Sequence, residues 1–360
     1  MNTKQQRIFF VLPHANLRGG NKIVFEVADG LTDHGYSITI LTPTGHPPAW
    51  MNVKTPFGSW DHWRKRITDD DIAIMTWDYD ADYLMDIRGY KGYYVQHFMH
   101  FIEDIFKLPL DFFVSESSYI QKHTLETYGV RSHLIMPGIA HTVFQPYPDV
   151  PRIGNRVMTL GWGGWKGTED VEKAIELVRA QGQPVDFTSV HDLSSEEMAR
   201  AYCSSAVYVS GSWYEGFGLP LLEAMACGCP VATTDSKGID DFAIDGETCL
   251  KVPPRDPEAM AAAVLHLLRD PGLRRRLAAN GLAMAQRFGW ERSIDAWEEL
   301  LGLRSGRPHF LEAGDYERLA APSPETRQVI RRVRQTCARR RREERLARIK
   351  SALRRVLPFR

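Results

Sequence analysis

The chain contains no run of eighteen apolar residues among its 360, which excludes an ordinary transmembrane helix. It has only five cysteines, an odd and scattered set: Cys203, Cys227, Cys229, Cys249 and Cys337. Cys227 and Cys229 are separated by one residue, without a second close pair to complete a zinc site. Reduced, structural cysteines in a cytosolic protein are therefore expected. No secretory leader is expected either, because Met-Asn-Thr-Lys-Gln-Gln-Arg passes straight into an apolar strand-like run. Net charge is also missing, with 45 basic and 45 acidic residues. That balance is uneven. Residues 327–360 hold 14 basic and 2 acidic side chains, against 31 and 43 in the other 326. An acidic body and a basic tail are expected to behave as separate objects. What remains is a length sufficient for two domains of ordinary size.

The most informative stretch is Ser212–Val231, SWYEGFGLPLLEAMACGCPV. Glu215 and Glu223 stand with seven residues between them. A Gly-rich turn follows the first, and Pro220 opens an apolar helix as its first residue, which puts Glu223 at the fourth helical position. Gly216 and Gly218 let the backbone approach a ligand closely. The free amides of the first turn, with the helix dipole behind them, make an anion site. Two carboxylates flanking a phosphate-sized site suit a nucleotide-sugar.

This segment resembles the E-x7-E signature of retaining GT-B glycosyltransferases, the group-1 (family 4-like) glycosyltransferases. The resemblance runs over roughly residues 7 to 303. It implies an α/β GT-B fold, with two Rossmann-like domains facing a cleft and a basic helical C-terminal extension. The implied domains are an N-terminal acceptor domain (1–150), a nucleotide-sugar domain (151–303, its last helix crossing back near 290–303) and a tail (304–360). It implies a hexosyl- or deoxyhexosyltransferase that moves a sugar from a nucleoside-diphosphate sugar to a glycan or lipid-linked acceptor hydroxyl, as in bacterial surface polysaccharide or glycolipid synthesis. Neither cofactor nor metal is needed if a cation and a helix N-terminus neutralise the diphosphate. Glu215 then serves the transferred sugar and Glu223 the ribose, with Gly216, Phe217, Gly218 and Leu219 around the phosphates.

Other segments fit this frame. Arg7–Leu12 reads as a buried strand, Asn21–His34 as a helix and Ser37–Leu41 as the next strand. The intervening Gly19-Gly20 turn is a candidate donor-phosphate contact, as in relatives. Tyr93–Gln96 is a strand leading to His97 and His100. Such a histidine can hydrogen-bond a sugar or phosphate, and the resemblance favours His97. Leu134–Phe144 resembles the family's linker turn, with Pro137 and Ala140 replacing its Asn and Asp. In Gly161-Trp-Gly-Gly-Trp-Lys-Gly167, Lys166 matches the family's phosphate-binding lysine, while Trp162 stands where relatives carry arginine. Arg18 is a candidate replacement cation. Trp162, Pro137 and Ala140 also support an alternative, a GT-B-like scaffold or binding protein without catalysis. A dinucleotide-binding reading of Gly161, Gly163, Gly167 and Asp186 fails on spacing and on the bulky Trp165 and Lys166.

Asp78-Tyr79-Asp80 imitates a D-x-D metal motif but lacks its context, and is expected to be a solvated loop. Asp245–Pro254 resembles a family hairpin. Residues 43–68 carry no chemistry that the sequence locates. In the tail, Val329, Ile330, Val333, Leu346, Ile349, Leu353, Val356 and Leu357 form a helical stripe among arginines. An anionic membrane surface, reached from the cytoplasmic face, is one partner for it. A plain solvated face is the other reading. Nucleic acid is disfavoured, since no aromatic platform accompanies the basic run.

Overall fold

Short apolar runs alternating with helices build two sheets. The structure, a computed structural model, describes residues 6–98, 100, 102, 104–304 and 323–356. The chain divides into two compact units. Unit 1 comprises residues 1–114, 124–133 and 298–360, and unit 2 comprises 115–123 and 134–297. The boundaries thus fall near 134 and 298, where the sequence suggested 150 and 303, and the tail belongs to unit 1.

Unit 1 opens with β1 (Arg7–Val11), α1 (Gly19–Asp33), β2 (Ser37–Thr42), β3 (Phe57–Ser59) and α2 (Trp60–Trp63). It continues through β4 (Ile72–Met75), α3 (Ala81–Asp86), β5 (Tyr90–Val95), β6 (Phe112–Ser115), α4 (Ser118–Tyr128) and β7 (His133–Leu134). The sheet order is β3-β2-β1-β4-β5-β6-β7, with parallel pairing from β3 through β5. This is the order of a doubly wound fold, whose switch point lies between β1 and β4. Ile8–Val11 and Ile72–Met75 are fully buried. Their unbroken apolar character is what a two-faced parallel sheet demands.

Unit 2 contains β8 (Ile153–Leu160), α5 (Thr168–Ala180), β9 (Asp186–Val190), α6 (Ser195–Ser204), β10 (Ser205–Ser210) and α7 (Leu219–Ala226). β11 (Val231–Thr234), β12 (Leu250–Val252), α8 (Pro257–Arg269) and α9 (Pro271–Ala285) follow. Its sheet order is β12-β11-β10-β8-β9, all parallel. The switch point here lies between β8 and β10. Val157, Val207 and Val209 meet Val171, Ile175 and Val264 of the flanking helices in one buried core. Ser194 caps α6 in a capping box with Glu197. Asp245–Cys249 forms a turn rather than a strand of a hairpin, because β12 pairs parallel with β11.

α10 (Trp290–Leu300) carries the chain from unit 2 into unit 1, and α11 (Pro324–Val356) lies in unit 1. Gly138 packs against Gly289 and Trp290, where an added Cβ would lie 2.5 Å from Trp290 N. Ile139 N donates to Phe288 O at 2.9 Å. That close approach is the structural reason the linker turn keeps its glycine while its Asn and Asp positions are occupied by Pro137 and Ala140.

Candidate functional site

The loops that leave β8 and β10 meet at the switch point of unit 2. Two glycines bring them together. Gly167 has φ +65°, and a Cβ there would overlap Gly211 O, while a Cβ on Gly211 would overlap Gly167 O. Only two residues without side chains fit this crossing. The loops are then tied by Trp213 N, which donates to Trp165 O at 2.8 Å, and by Trp213 Nε1, which donates to Asp170 Oδ2 at 2.8 Å. Arg255 stacks on the Trp213 ring at 3.9 Å from its centroid. Thr168 Oγ1 closes the first loop by donating to Trp162 O at 2.7 Å.

This scaffold sets Lys166 against Glu215. Lys166 lies in a 3₁₀ turn, Gly164–Lys166, and Glu215 lies five residues beyond β10. Lys166 Nζ donates to Glu215 Oε1 at 2.7 Å, with side chains 35% and 11% exposed. The pair is therefore half-buried yet open to solvent on the lysine side. Glu215 is also held through its backbone, with N donating to Ser236 O at 2.9 Å. Gly238 makes this approach possible, since a Cβ there would overlap Gly216 O and Glu215 O. Lys166 and Glu215 are 49 residues apart in sequence, so only the fold brings them together.

The helix expected after the Gly-rich turn starts one residue earlier than the sequence suggests. Gly218 is the N-cap with φ +86°, Leu219 is the first helical residue and Pro220 the second, so Glu223 is the fifth. Gly218 cannot be replaced cheaply: a Cβ would lie 2.6 Å from Ile239 Cγ2. Among the described residues, the amides of Gly218 and Leu219 donate to no backbone acceptor, and Pro220 has no N–H to offer. Two of the four candidate phosphate contacts change character. The Phe217 side chain is buried with Phe242 and Phe288, at ring distances of 5.4 and 6.0 Å. Leu219 is buried as well. Both can present only their backbone to a ligand. Glu223 is 6% exposed and sits on the buried flank of α7.

Beside this centre, Lys237 pairs with Asp235 at 2.6 Å and Lys251 with Asp240 at 2.5 Å. Lys237 takes φ +71°, an unusual backbone state for a lysine. The paired basic residues could have been noticed from their alternation with aspartates.

The remaining candidates lie in unit 1. Gly19 and Gly20 begin α1, and Gly19 has open space around its Cβ position. Gly20 packs beneath Gln96, whose Nε2 donates to Gly20 O at 3.1 Å and whose Oε1 would lie 2.8 Å from an added Cβ. Packing is thus sufficient to require that glycine. His97 follows β5 and is half-buried, its ring 5.3 Å from Trp77 and 5.1 Å from His100. Asp78 and Asp80 are not a solvated loop. Both are fully buried in a 3₁₀ turn, and Asp78 Oδ2 accepts from Ile102 N at 2.8 Å. Between them, Tyr79 is covered by α11, with Arg340 stacked over its ring at 4.0 Å. Among the described residues, no three or more His, Cys, Asp or Glu side chains are grouped so as to hold a metal ion. All five cysteines are free and buried.

The tail is not a separate object. Val329, Val333 and Cys337, four residues apart, are buried against unit 1. Arg332 pairs with Asp104 at 2.8 Å and Arg334 with Asp86 at 2.5 Å, and Arg341 grips Asp82 through both terminal nitrogens. Leu346 is exposed. The side chains of Ile349, Leu353 and Val356 lie outside the described ones, and Leu357 outside the described residues. Among the described residues, no helix is long and apolar enough to cross a membrane.

Parallel sheets with switch-point loops define the class, and comparison with known proteins shows what the chain is similar to. Residues 149–270 match the family model described as glycosyl transferases group 1. The O-antigen chain mannosyltransferase B of Escherichia coli is 32% identical over 148 residues, 41% of this chain and 37% of that protein. A D-inositol 3-phosphate glycosyltransferase of Corynebacterium urealyticum is 31% identical over 191 residues, 53% of this chain and 43% of that protein. The matched region thus spans less than half the length of these curated relatives. Among solved structures, the sucrose-phosphate synthase of Thermosynechococcus elongatus gives a TM-score of 0.67 at 18% identity, covering 84% of this chain and 100% of that one. Anabaena HepE in complex with UDP and glucose gives 0.69 at 14% identity, covering 83% and 100%. The fold is that of the GT-B glycosyltransferases.

Proposed function

We propose that the protein is a retaining glycosyltransferase that moves a sugar from a nucleoside-diphosphate donor to the hydroxyl of a glycan or lipid-linked glycan. The observation that carries this reading is the Lys166–Glu215 pair at 2.7 Å at the switch point of unit 2, beside the unengaged amides of Gly218 and Leu219. Donor cleavage leaves a nucleoside diphosphate, and stabilising its growing negative charge is the main electrostatic task. Lys166 supplies a mobile point charge for it. The amides ahead of Pro220 supply fixed donors backed by the α7 dipole. Glu215 holds the ammonium in place before the donor arrives and is then available to a sugar hydroxyl. Glu223 is assigned to the ribose by resemblance, and on the same ground Gly19 and Gly20 are assigned to the donor phosphates and His97 to a donor contact. Trp162 removes the second cation expected in this loop, which leaves Lys166 and the amides to carry more of the phosphate charge.

The reading draws support from the family match and from HepE, whose structure holds UDP and glucose. Metal-independent chemistry, retention and a place in surface polysaccharide or glycolipid synthesis are parts of the proposal. Peripheral attachment to the inner membrane face through 327–360 is another part. It rests on the 14 basic residues there, and is limited by the engagement of Arg332, Arg334 and Arg341 in ion pairs.

Incubation with UDP-, GDP- and dTDP-sugars, with and without acceptor glycans, tests the reading through release of nucleoside diphosphate. Release from one donor supports a transferase, and NMR of the product's anomeric configuration tests retention. No release from any donor would leave the scaffold alternative.

A further inference from the structure

Unit 1 has a cavity of about 960 Å³ at its own switch point, within the range of small-molecule sites. It is built by the segments that leave β1, β2 and β4: His14 from the first, Trp50 from the second, Trp77 and Tyr79 from the third. Trp60 of α2 adds a further aromatic face. The last wall comes from α11, through Cys337, Arg340 and Arg341. The basic tail therefore completes a site that the sheet alone leaves open.

The chemistry of the walls is two-sided. One side is aromatic, with Trp77 and Tyr79 stacked at 6.0 Å and 9°. Flat indole and phenol faces bury the apolar face of a pyranose while the ring hydroxyls stay available for hydrogen bonds. The other side carries two guanidinium groups. Arg340 is stacked on Tyr79 at 4.0 Å, so its plane is fixed by the aromatic side. Arg341 is fixed by Asp82. His14 and His46 also line the cavity, and among the described lining residues Asp80 is the one carboxylate. Preorganised guanidinium groups recognise carboxylates and phosphates through paired N–H donors.

We propose that this cavity binds an acidic sugar, one bearing a phosphate or a carboxylate, and that Arg340 on the C-terminal helix determines the preference. The ring lies against the aromatic wall and the anion faces α11. Calling that ligand the acceptor rests on the transferase reading above. The preference itself does not, because binding can be measured without any donor.

The experiment titrates the full chain with glucose 6-phosphate, glucuronate, glucose and inorganic phosphate, following tryptophan fluorescence, to which Trp50, Trp60 and Trp77 contribute at the site. The two acidic sugars are expected to bind about tenfold or more tighter than glucose and than inorganic phosphate, as one charge-assisted hydrogen-bonded contact provides. Arg340→Gln is expected to bring the acidic sugars down to the affinity of glucose, and Arg340→Lys to fall between. Circular dichroism shows whether each variant is folded. If Arg340→Gln fails to fold, the lysine variant and the four-ligand comparison on the unaltered chain still decide. Equal affinity for glucose and the acidic sugars would overturn the proposal. So would equal affinity for inorganic phosphate and glucose 6-phosphate, an unchanged preference in Arg340→Gln, or no binding of any probe. Glucuronate against glucose 6-phosphate tells a carboxylate ligand from a phosphate one. A transferase without this preference passes the donor panel and fails here, so the two readings fail separately.

Discussion

Lys166 and Glu215 form an ion pair at 2.7 Å between the loops that follow the first and third strands of the second sheet. Among the described residues, neither makes another ion pair. The lysine is the more exposed of the two, so under the proposed function a diphosphate reaches it without dismantling the fold. Lys166→Ala and Glu215→Ala are each expected to remove most donor turnover, with the lysine loss on the order of 10²–10³-fold, the usual scale for deleting one charge-stabilising group. The pair lies near the surface, so the urea unfolding midpoint should move little. Full turnover in purified Lys166→Ala would remove the phosphate-clamp role. A large fall in unfolding midpoint would show that the pair is structural instead.

The crossing of Gly167 and Gly211 sets that pair's geometry, and it can be perturbed without touching either charge. Gly167→Ala forces a side chain into a left-handed backbone and onto Gly211 O. The expected cost is about 3 kcal/mol in urea unfolding, combining backbone strain with overpacking. Gly164→Ala is the control. Its φ is +70°, but nothing lies within 4 Å of the added Cβ, so about 1 kcal/mol is expected. Equal losses in the two variants would contradict the close-approach argument.

The two sheets were legible in the sequence wherever strands were buried on both faces. Arg7–Leu12 and Ser37–Leu41 fall within one residue of β1 and β2, and Asn21–His34 falls within two residues of α1, since apolar runs and helical periodicity act locally. The motif loops were legible for the same reason, because glycines and proline constrain the backbone in place. Three things were not. Phe217 belonged to the signature, yet its side chain packs among aromatics distant in sequence. Asp78 and Asp80 read as solvent-facing because the groups around this turn are distant in sequence: Ile102 N donates to Asp78, and Arg340 of α11 stacks over Tyr79. The tail read as separate because its partners Asp82, Asp86 and Asp104 are scattered singly through the acidic body. Long-range burial leaves no periodic trace in a short window.

Arg7 and Asp71 make a second testable pair, at the opposite end of the first strand from the cavity. Arg7 Nη2 lies 2.6 Å from Asp71 Oδ2, and Thr68 N and Oγ1 donate to the same oxygen. Burial by itself raises the Asp71 pKa, but the Arg7 and Thr68 hydrogen bonds outweigh it and hold the carboxyl below its ordinary value. A depressed carboxyl contributes stability that is complete above its unfolded pKa, about 3.9, and that disappears as pH falls through the folded value. Asp71→Asn should therefore be less stable than the unaltered chain by about 2 kcal/mol at pH 7. The gap should narrow below about pH 4. Urea unfolding of both proteins at pH 7 and pH 3 measures it, and a gap that stays constant would contradict the assignment.

Docking of α11 joins charge to burial, and Cys337 reports on both. The Cys337 side chain is 2% exposed, and burial pushes its thiol up to about 12. While the helix is docked, the thiol is both protonated at pH 8 and shielded, so alkylation requires the helix to open. Asp82→Asn with Asp86→Asn removes the partners of Arg341 and Arg334, leaving Val329, Val333 and Cys337 as the main adhesion. Iodoacetamide labelling of Cys337, read by peptide mass spectrometry to separate it from the other four thiols, should accelerate several-fold in that double variant. Raising salt should speed labelling of the unaltered chain, because the arginine–aspartate pairs are partly exposed and screened. The double variant should respond less, having lost two of the three pairs. Identical labelling in both proteins, at low and high salt, would mean that the apolar stripe alone holds the helix and that the acidic patch on unit 1 does not recruit it.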